Sequence, residues 1–207
     1  MSDTGTNINQ KLVNKIDNIS RQLERTWTEE EEYSTARENN WDQKKESLVQ
    51  NEGFNWLSDR GSRVVCGVSR CLQGVRTNSN YMPLVVKFEP WIQDSWNPDK
   101  YDNQYEMRVW NKAGSENDED LFCEMVASHD NGHWIIVREC VPIFFSDPSR
   151  SLQRDYIVNR DMISDFKNKF QNRGWYEHDW KHGNVGYLPE QDRTVLIDYG
   201  SFTEKKN

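Results

Sequence analysis

In the stretch Gly174 to Gly200, GWYEHDWKHGNVGYLPEQDRTVLIDYG, two carboxylates, a lysine and an amide are spaced for one kind of chemistry. Asp179, Lys181 and Asn184 share the short segment D-W-K-H-G-N, and the apolar run Val195-Leu196-Ile197 delivers Asp198 into Tyr199-Gly200. Metal-assisted phosphoryl transfer requires such a set. One acid takes or orients the proton of an attacking hydroxyl, a second acid and an amide hold a divalent ion on nucleotide phosphates, and a lysine offsets charge on the moving group. The chain between the two motifs reads as a hairpin, which would gather the four side chains at one place.

At these residues the chain resembles the eukaryotic-like protein kinase superfamily. D-W-K-H-G-N looks like its catalytic loop D-L-K-x-x-N, and Asp198-Tyr199-Gly200 looks like its metal-binding D-F-G. The resemblance implies that Asp179 is the catalytic base and Lys181 the loop lysine, with Asn184 and Asp198 carrying magnesium. It implies ATP and Mg2+ as cofactors. The implied fold is α+β in two lobes, a five-stranded antiparallel sheet with one helix over a reduced helical lobe. Only the seven residues Ser201 to Asn207 follow Gly200, so the resemblance is to a minimal kinase-like protein with a truncated C-terminal lobe, similar to small microbial or viral ones.

The elements that must hold a nucleotide lie upstream. Pro83-Leu84-Val85-Val86-Lys87-Phe88 is a β-branched apolar run containing one lysine, similar to the family's V-A-I-K strand. A lysine in a buried strand needs a counter-charge. Residues Asp99 to Ala113 read as a helix, started by Asn97 as cap and Pro98 in the first turn. Tyr105, Val109 and Trp110 mark its core stripe, and Glu106 is the expected partner of Lys87, 106 − 87 = 19 residues on. Before the lysine strand, Leu57 to Val68 carries Gly61 and Ser62 where the family has a glycine-rich loop; the full G-x-G-x-x-G is lacking, and backbone N–H groups with the Ser62 hydroxyl would meet the phosphates. Leu121 to Ser128 and His133 to Val141 read as two further strands. The second ends where the resemblance puts the hinge, with adenine contacts from the backbone near Glu139 and Val141 and with Arg138 at the gatekeeper position. Ile157, Met162, Ile163, Phe166 and Phe170, within Ser149 to Arg173, read as the helix that carries the catalytic loop.

The N-terminal part differs in character. Asn9 to Trp27 carries Leu12, Ile16, Ile19 and Leu23 at spacings of 4, 3 and 4, a narrow apolar stripe on a helix, which the acids Glu29 to Glu32 interrupt before a second helix over Tyr33 to Gln50. Such helices serve either as a brace on the core or as an element for homodimerisation or partner docking. The expected organisation is a helical extension over 1–55, its first residues Met1 to Ile8 small, polar and expected to be disordered, then an N-lobe over 56–141 and a reduced C-lobe over 142–207.

Composition bounds the function classes. The net charge is −8 with a pI near 5.1, which argues against a binder of phosphate backbones despite nine tryptophans able to stack bases. Seven of the tryptophans, Trp56, Trp91, Trp96, Trp110, Trp134, Trp175 and Trp180, fall in the expected core. No apolar run approaches the ~18 residues of a membrane span, and no secretory signal is evident. The cysteines Cys66, Cys71, Cys123 and Cys140 lack metal-type spacing, and the strand contexts of Cys66, Cys123 and Cys140 suit buried thiols, as in a reduced, cytoplasmic protein. The expected activity is ATP-dependent phosphotransfer, most simply to a serine or threonine of a protein substrate, toward which Lys181 leans. The short lower lobe and Gly183-Asn184 favour instead a small-molecule phosphotransferase of aminoglycoside-kinase type. The third class is a pseudokinase that regulates a protein partner by binding.

Overall fold

The computed structural model describes residues 8–32, 41–60, 63–69, 73, 83–89, 102–146, 155–177, 180, 184–199 and 203–205. Two compact units divide the chain, the first made of residues 1–98 and 126–138 and the second of 99–125 and 139–207.

In the first unit the spacing of Leu12, Ile16, Ile19 and Leu23 folds as a single helix, α1 (Gln10–Glu32), with all four buried to 3% exposure or less. The run Glu29 to Glu32 continues α1 instead of ending it. Glutamate is a good helix former and keeps the backbone helical without an apolar stripe. The second helix, α2 (Trp41–Asn51), starts later than the sequence suggests; residues 33–40 lie outside the described set.

Five strands follow: β1 (Phe54–Arg60), β2 (Arg63–Val68), β3 (Leu84–Phe88), β4 (Met125–Ser128) and β5 (Trp134–Arg138), in sheet order β1-β2-β3-β5-β4. The pairs β1–β2, β2–β3 and β3–β5 are antiparallel. Alternation along the strands sends Val64, Cys66, Val68, Leu84, Val86, Phe88, Trp134 and Ile136 into one core with the α1 stripe. The Trp134 indole N–H also donates to Asp17 Oδ1 on α1 at 2.7 Å. The expected sheet of five strands is therefore present, with the N-terminal helices packed on one face of it.

Two strand expectations are corrected. Glu119–Leu121 is a 3-10 turn, so β4 begins only at Met125. The ladder of β5 stops at Arg138, and Val141 opens a separate strand, β6 (Val141–Phe144), in the second unit. An apolar run shows that residues are buried, not which sheet receives them.

The second unit contains α3 (Asp102–Glu116), β6, β7 (Ile157–Val158), α4 (Arg160–Asn172), β8 (Trp175–Glu177), β9 (Val185–Leu188), β10 (Arg193–Leu196) and β11 (Thr203–Lys205). One sheet has the order β10-β9-β6-β7, with β6 and β7 parallel, and a second pairs β11 with β8. The buried stripe of α3 is Asn103, Glu106, Val109 and Ala113, so Tyr105 and Trp110 flank the stripe where they were expected to form it. Residues 97–101, with the expected cap, lie outside the described set. Asn159 caps α4 by accepting from Met162 N at 3.0 Å, and Ile163, Phe166 and Phe170 form its buried face. Gly174, with φ of 79°, ends the helix and lets the chain turn into β8. At the centre Phe122 meets the rings of Trp175, Tyr199 and Phe170 edge-on, at 4.9, 5.1 and 5.6 Å between centroids. Of the expected core tryptophans, Trp134 and Trp175 are buried and Trp56, Trp110 and Trp180 half-buried, while Trp91 and Trp96 lie outside the described residues.

Candidate functional site

The β9–β10 hairpin brings Asn184 and Asp198, one residue from each motif, to one place. Its register pairs Leu196 with Val185, and one step further Ile197 N donates to Asn184 O at 2.7 Å. Asn184 and Asp198, both half-buried, therefore stand at the same open end of the hairpin. The turn at the far end is a 3-10 turn, Pro189–Gln191, closed by Asp192 at φ 46°, whose carboxylate accepts the Tyr187 hydroxyl at 2.7 Å.

The two segments are also tied on their other side. Glu177, the last residue of β8, pairs with Thr203, the first of β11, and the Thr203 hydroxyl donates to the Glu177 carboxylate. Asn184 is thus tied to Ile197, and Glu177 to Thr203, while residues 178–179, 181–183 and 200–202 lie outside the described residues. Asp179 and Lys181 are among the latter. Trp180, between them in sequence, packs edge-on against Phe170 at 5.6 Å and Phe166 at 6.2 Å on α4, with Lys167 Nζ over its ring at 5.6 Å. The packing of Trp180 on α4 was not foreseen in this detail, because Trp180 was read only as part of the core.

Behind Asp198, Tyr199 is fully buried, and its hydroxyl donates to Cys123 O at 2.9 Å. Burial pushes the phenol well above its ordinary value, and the charges of Glu106 and Asp198 push the same way, so Tyr199 stays a neutral donor. Glu106, at 0% exposure, is a fully buried acid of α3. Glu139 follows β5 and is half-buried, and Val141 pairs with Tyr187 of β9. Gly186 of β9 is needed because a Cβ there would lie 2.7 Å from Cys140 Cβ and 2.7 Å from Ile197 Cγ1.

In the first unit Lys87 occupies β3, an interior strand, between Val65 of β2 and Ile135 of β5. It is 4% exposed and points away from the α1 face, beside the buried Val85, Ile135 and Val137. Glu89, two positions on, is a second buried acid that sequence reading passed over. Gly61 and Ser62, between β1 and β2, lie outside the described residues.

The carboxylate of Asp198 and the amide oxygen of Asn184 are hard donors, which suit Mg2+, an ion that keeps several waters and takes few protein ligands. Among the described residues no cluster of three or more His, Cys, Asp or Glu could hold a metal. None of the described helices is long and apolar enough to cross a membrane.

No family model matches the chain, and no curated protein matches it. Among solved structures it is similar to choline kinase LicA from Streptococcus pneumoniae, at 9% identity and a TM-score of 0.40, over 80% of this chain and 70% of that one. It is similar also to the kinase PK-1 of the Cydia pomonella granulovirus, at 13% identity and a TM-score of 0.40, over 79% of this chain and 59% of that one.

Proposed function

We propose that the chain is an ATP- and magnesium-dependent phosphotransferase of kinase-like type, acting on a hydroxyl of a protein substrate. The observation that carries this reading is the meeting of Asn184 and Asp198 at one end of the β9–β10 hairpin, held by Ile197 N donating to Asn184 O at 2.7 Å. Asn184 and Asp198 would hold magnesium on the nucleotide phosphates, and Mg2+ would neutralise charge on them. Asp179 orients the acceptor hydroxyl and takes its proton, and Lys181 offsets charge on the transferred group. Lys87, supported by Glu106, binds the α- and β-phosphates, Gly61 and Ser62 meet the phosphates, and backbone groups at Glu139 and Val141 bind adenine.

Calorimetric titration with ATP and Mg2+, beside an assay of ATP turnover with and without a protein acceptor, tests the reading. Saturable binding that weakens about tenfold or more in Asp198→Asn and Lys87→Met, with turnover abolished in Asp179→Asn, is the expected result. Absence of binding by the folded wild-type chain refutes it.

A further inference from the structure

Cys123 and Cys140 take no part in the chemistry above, yet they lie side by side in the second unit. Their sulfurs are 3.2 Å apart, in a setting where Cys123 is 0% and Cys140 5% exposed. Backbone contacts fix both positions. Cys123 N donates to Leu196 O at 2.8 Å, and its carbonyl accepts the Tyr199 hydroxyl at 2.9 Å. Cys140 stands between Glu139 and Val141, the first residue of β6, with its Cβ against Gly186. A disulfide needs sulfurs about 2 Å apart, so roughly 1 Å of approach closes the pair.

We propose that Cys123 and Cys140 form a reversible disulfide that locks the Asp198-Tyr199 segment to the start of β6 and makes the site responsive to peroxide. One thiolate attacks a peroxide oxygen, breaks the O–O bond and becomes a sulfenic acid as the first water leaves. The second sulfur then displaces the sulfenic oxygen as a second water while the S–S bond forms. Two thiols and one hydrogen peroxide thus give one disulfide and two waters, and a dithiol reductant reverses the change. The bond itself is independent of the proposed function; its effect on nucleotide binding rests on that reading.

Each cysteine falls on its own tryptic peptide, Cys123 on 113–138 and Cys140 on 139–150, because Arg138 separates them. The full chain is reduced, exposed to stoichiometric hydrogen peroxide, alkylated, digested without reductant and mapped by mass spectrometry. The expected product joins those two peptides with the loss of two hydrogens and separates on reduction. Bridges through Cys66 or Cys71 instead, or both target thiols recovered alkylated or as sulfinic acids, overturn the proposal. The bridge should raise the melting temperature by roughly 5 °C. A formed bridge with an unchanged melting temperature overturns the lock. In the MgATP titration, oxidation should shift the affinity by roughly fivefold or more, reversibly, and Cys140→Ser should abolish both the bridge and the shift. An affinity that still responds to peroxide in Cys140→Ser refutes the regulatory role. MgATP that binds neither form counts against the proposed function alone, since the peptide map and the melting temperature require no nucleotide.

Discussion

Asp118 shows how much one carboxylate can organise. It accepts from Lys205 Nζ at 2.7 Å, Trp175 Nε1 at 2.8 Å and Arg173 Nη1 at 3.2 Å, and so joins β11, β8 and the end of α4. Burial pushes its titration upward, but the bonds to Lys205, Trp175 and Arg173 together hold it below the usual carboxylate value. A depressed folded value means that the unfolded chain binds the proton more readily. The stabilisation is therefore complete above the unfolded value of about 4 and is lost as pH falls through the folded one. Asp118→Asn should be markedly less stable than wild type at pH 7, and the two should converge below about pH 4 when denaturant midpoints are compared. At the same scale, Trp180→Ala removes the ring that packs on Phe170 and Phe166 between Asp179 and Lys181 in sequence. If the proposed chemistry holds, its turnover number should fall on the order of a hundredfold with little change in nucleotide KM, since misplacing a reacting group costs rate more than binding. Equal losses in both constants would contradict a positioning role for the ring.

The β9–β10 hairpin is the element on which the candidate site depends, and its tightest point is Gly186. Gly186→Ala drives a methyl group into the Ile197 side chain and against Cys140 Cβ, and Cys140 Cβ, bonded directly to the backbone, cannot swing aside. Overpacking of this kind costs about 1–3 kcal/mol, read as a lowered urea midpoint, and it should weaken any metal-dependent binding at Asn184 and Asp198 by displacing Ile197. Much of the hairpin was legible in the sequence. Val185 to Leu188 and Val195-Leu196 are apolar runs on either side of a proline-led turn, and that pattern depends only on near neighbours. Other features were not legible, for reasons that differ. The bond from Tyr199 to Cys123 O spans 76 residues, and no local pattern announces it. Val141 was read as the end of one strand because periodicity does not name a sheet. Glu106 was picked for its place on a helix, whereas its full burial follows from a phase of α3 that Tyr105 and Trp110 concealed.

At the scale of the molecule, the first unit rests on α1. Its stripe of four aliphatic side chains meets the strand residues Val64, Cys66, Val86, Phe88 and Ile136 in one core. Ile19→Ala should cost about 2–5 kcal/mol by leaving a cavity there, measured as loss of stability in denaturant, while an exposed change such as Asn18→Ala should cost under about 0.5 kcal/mol. A flat response at Ile19 would mean that the helix is not part of this core. The sequence left open whether the N-terminal helices brace the core or dock a partner. Burial of Leu12, Ile16, Ile19 and Leu23 shows where that stripe is spent. The covering helix also constrains laboratory handling. A recombinant fragment trimmed to begin at Trp56 would bare a greasy slab of β-sheet to water, and such fragments are expected to clump or precipitate where the longer polypeptide does not.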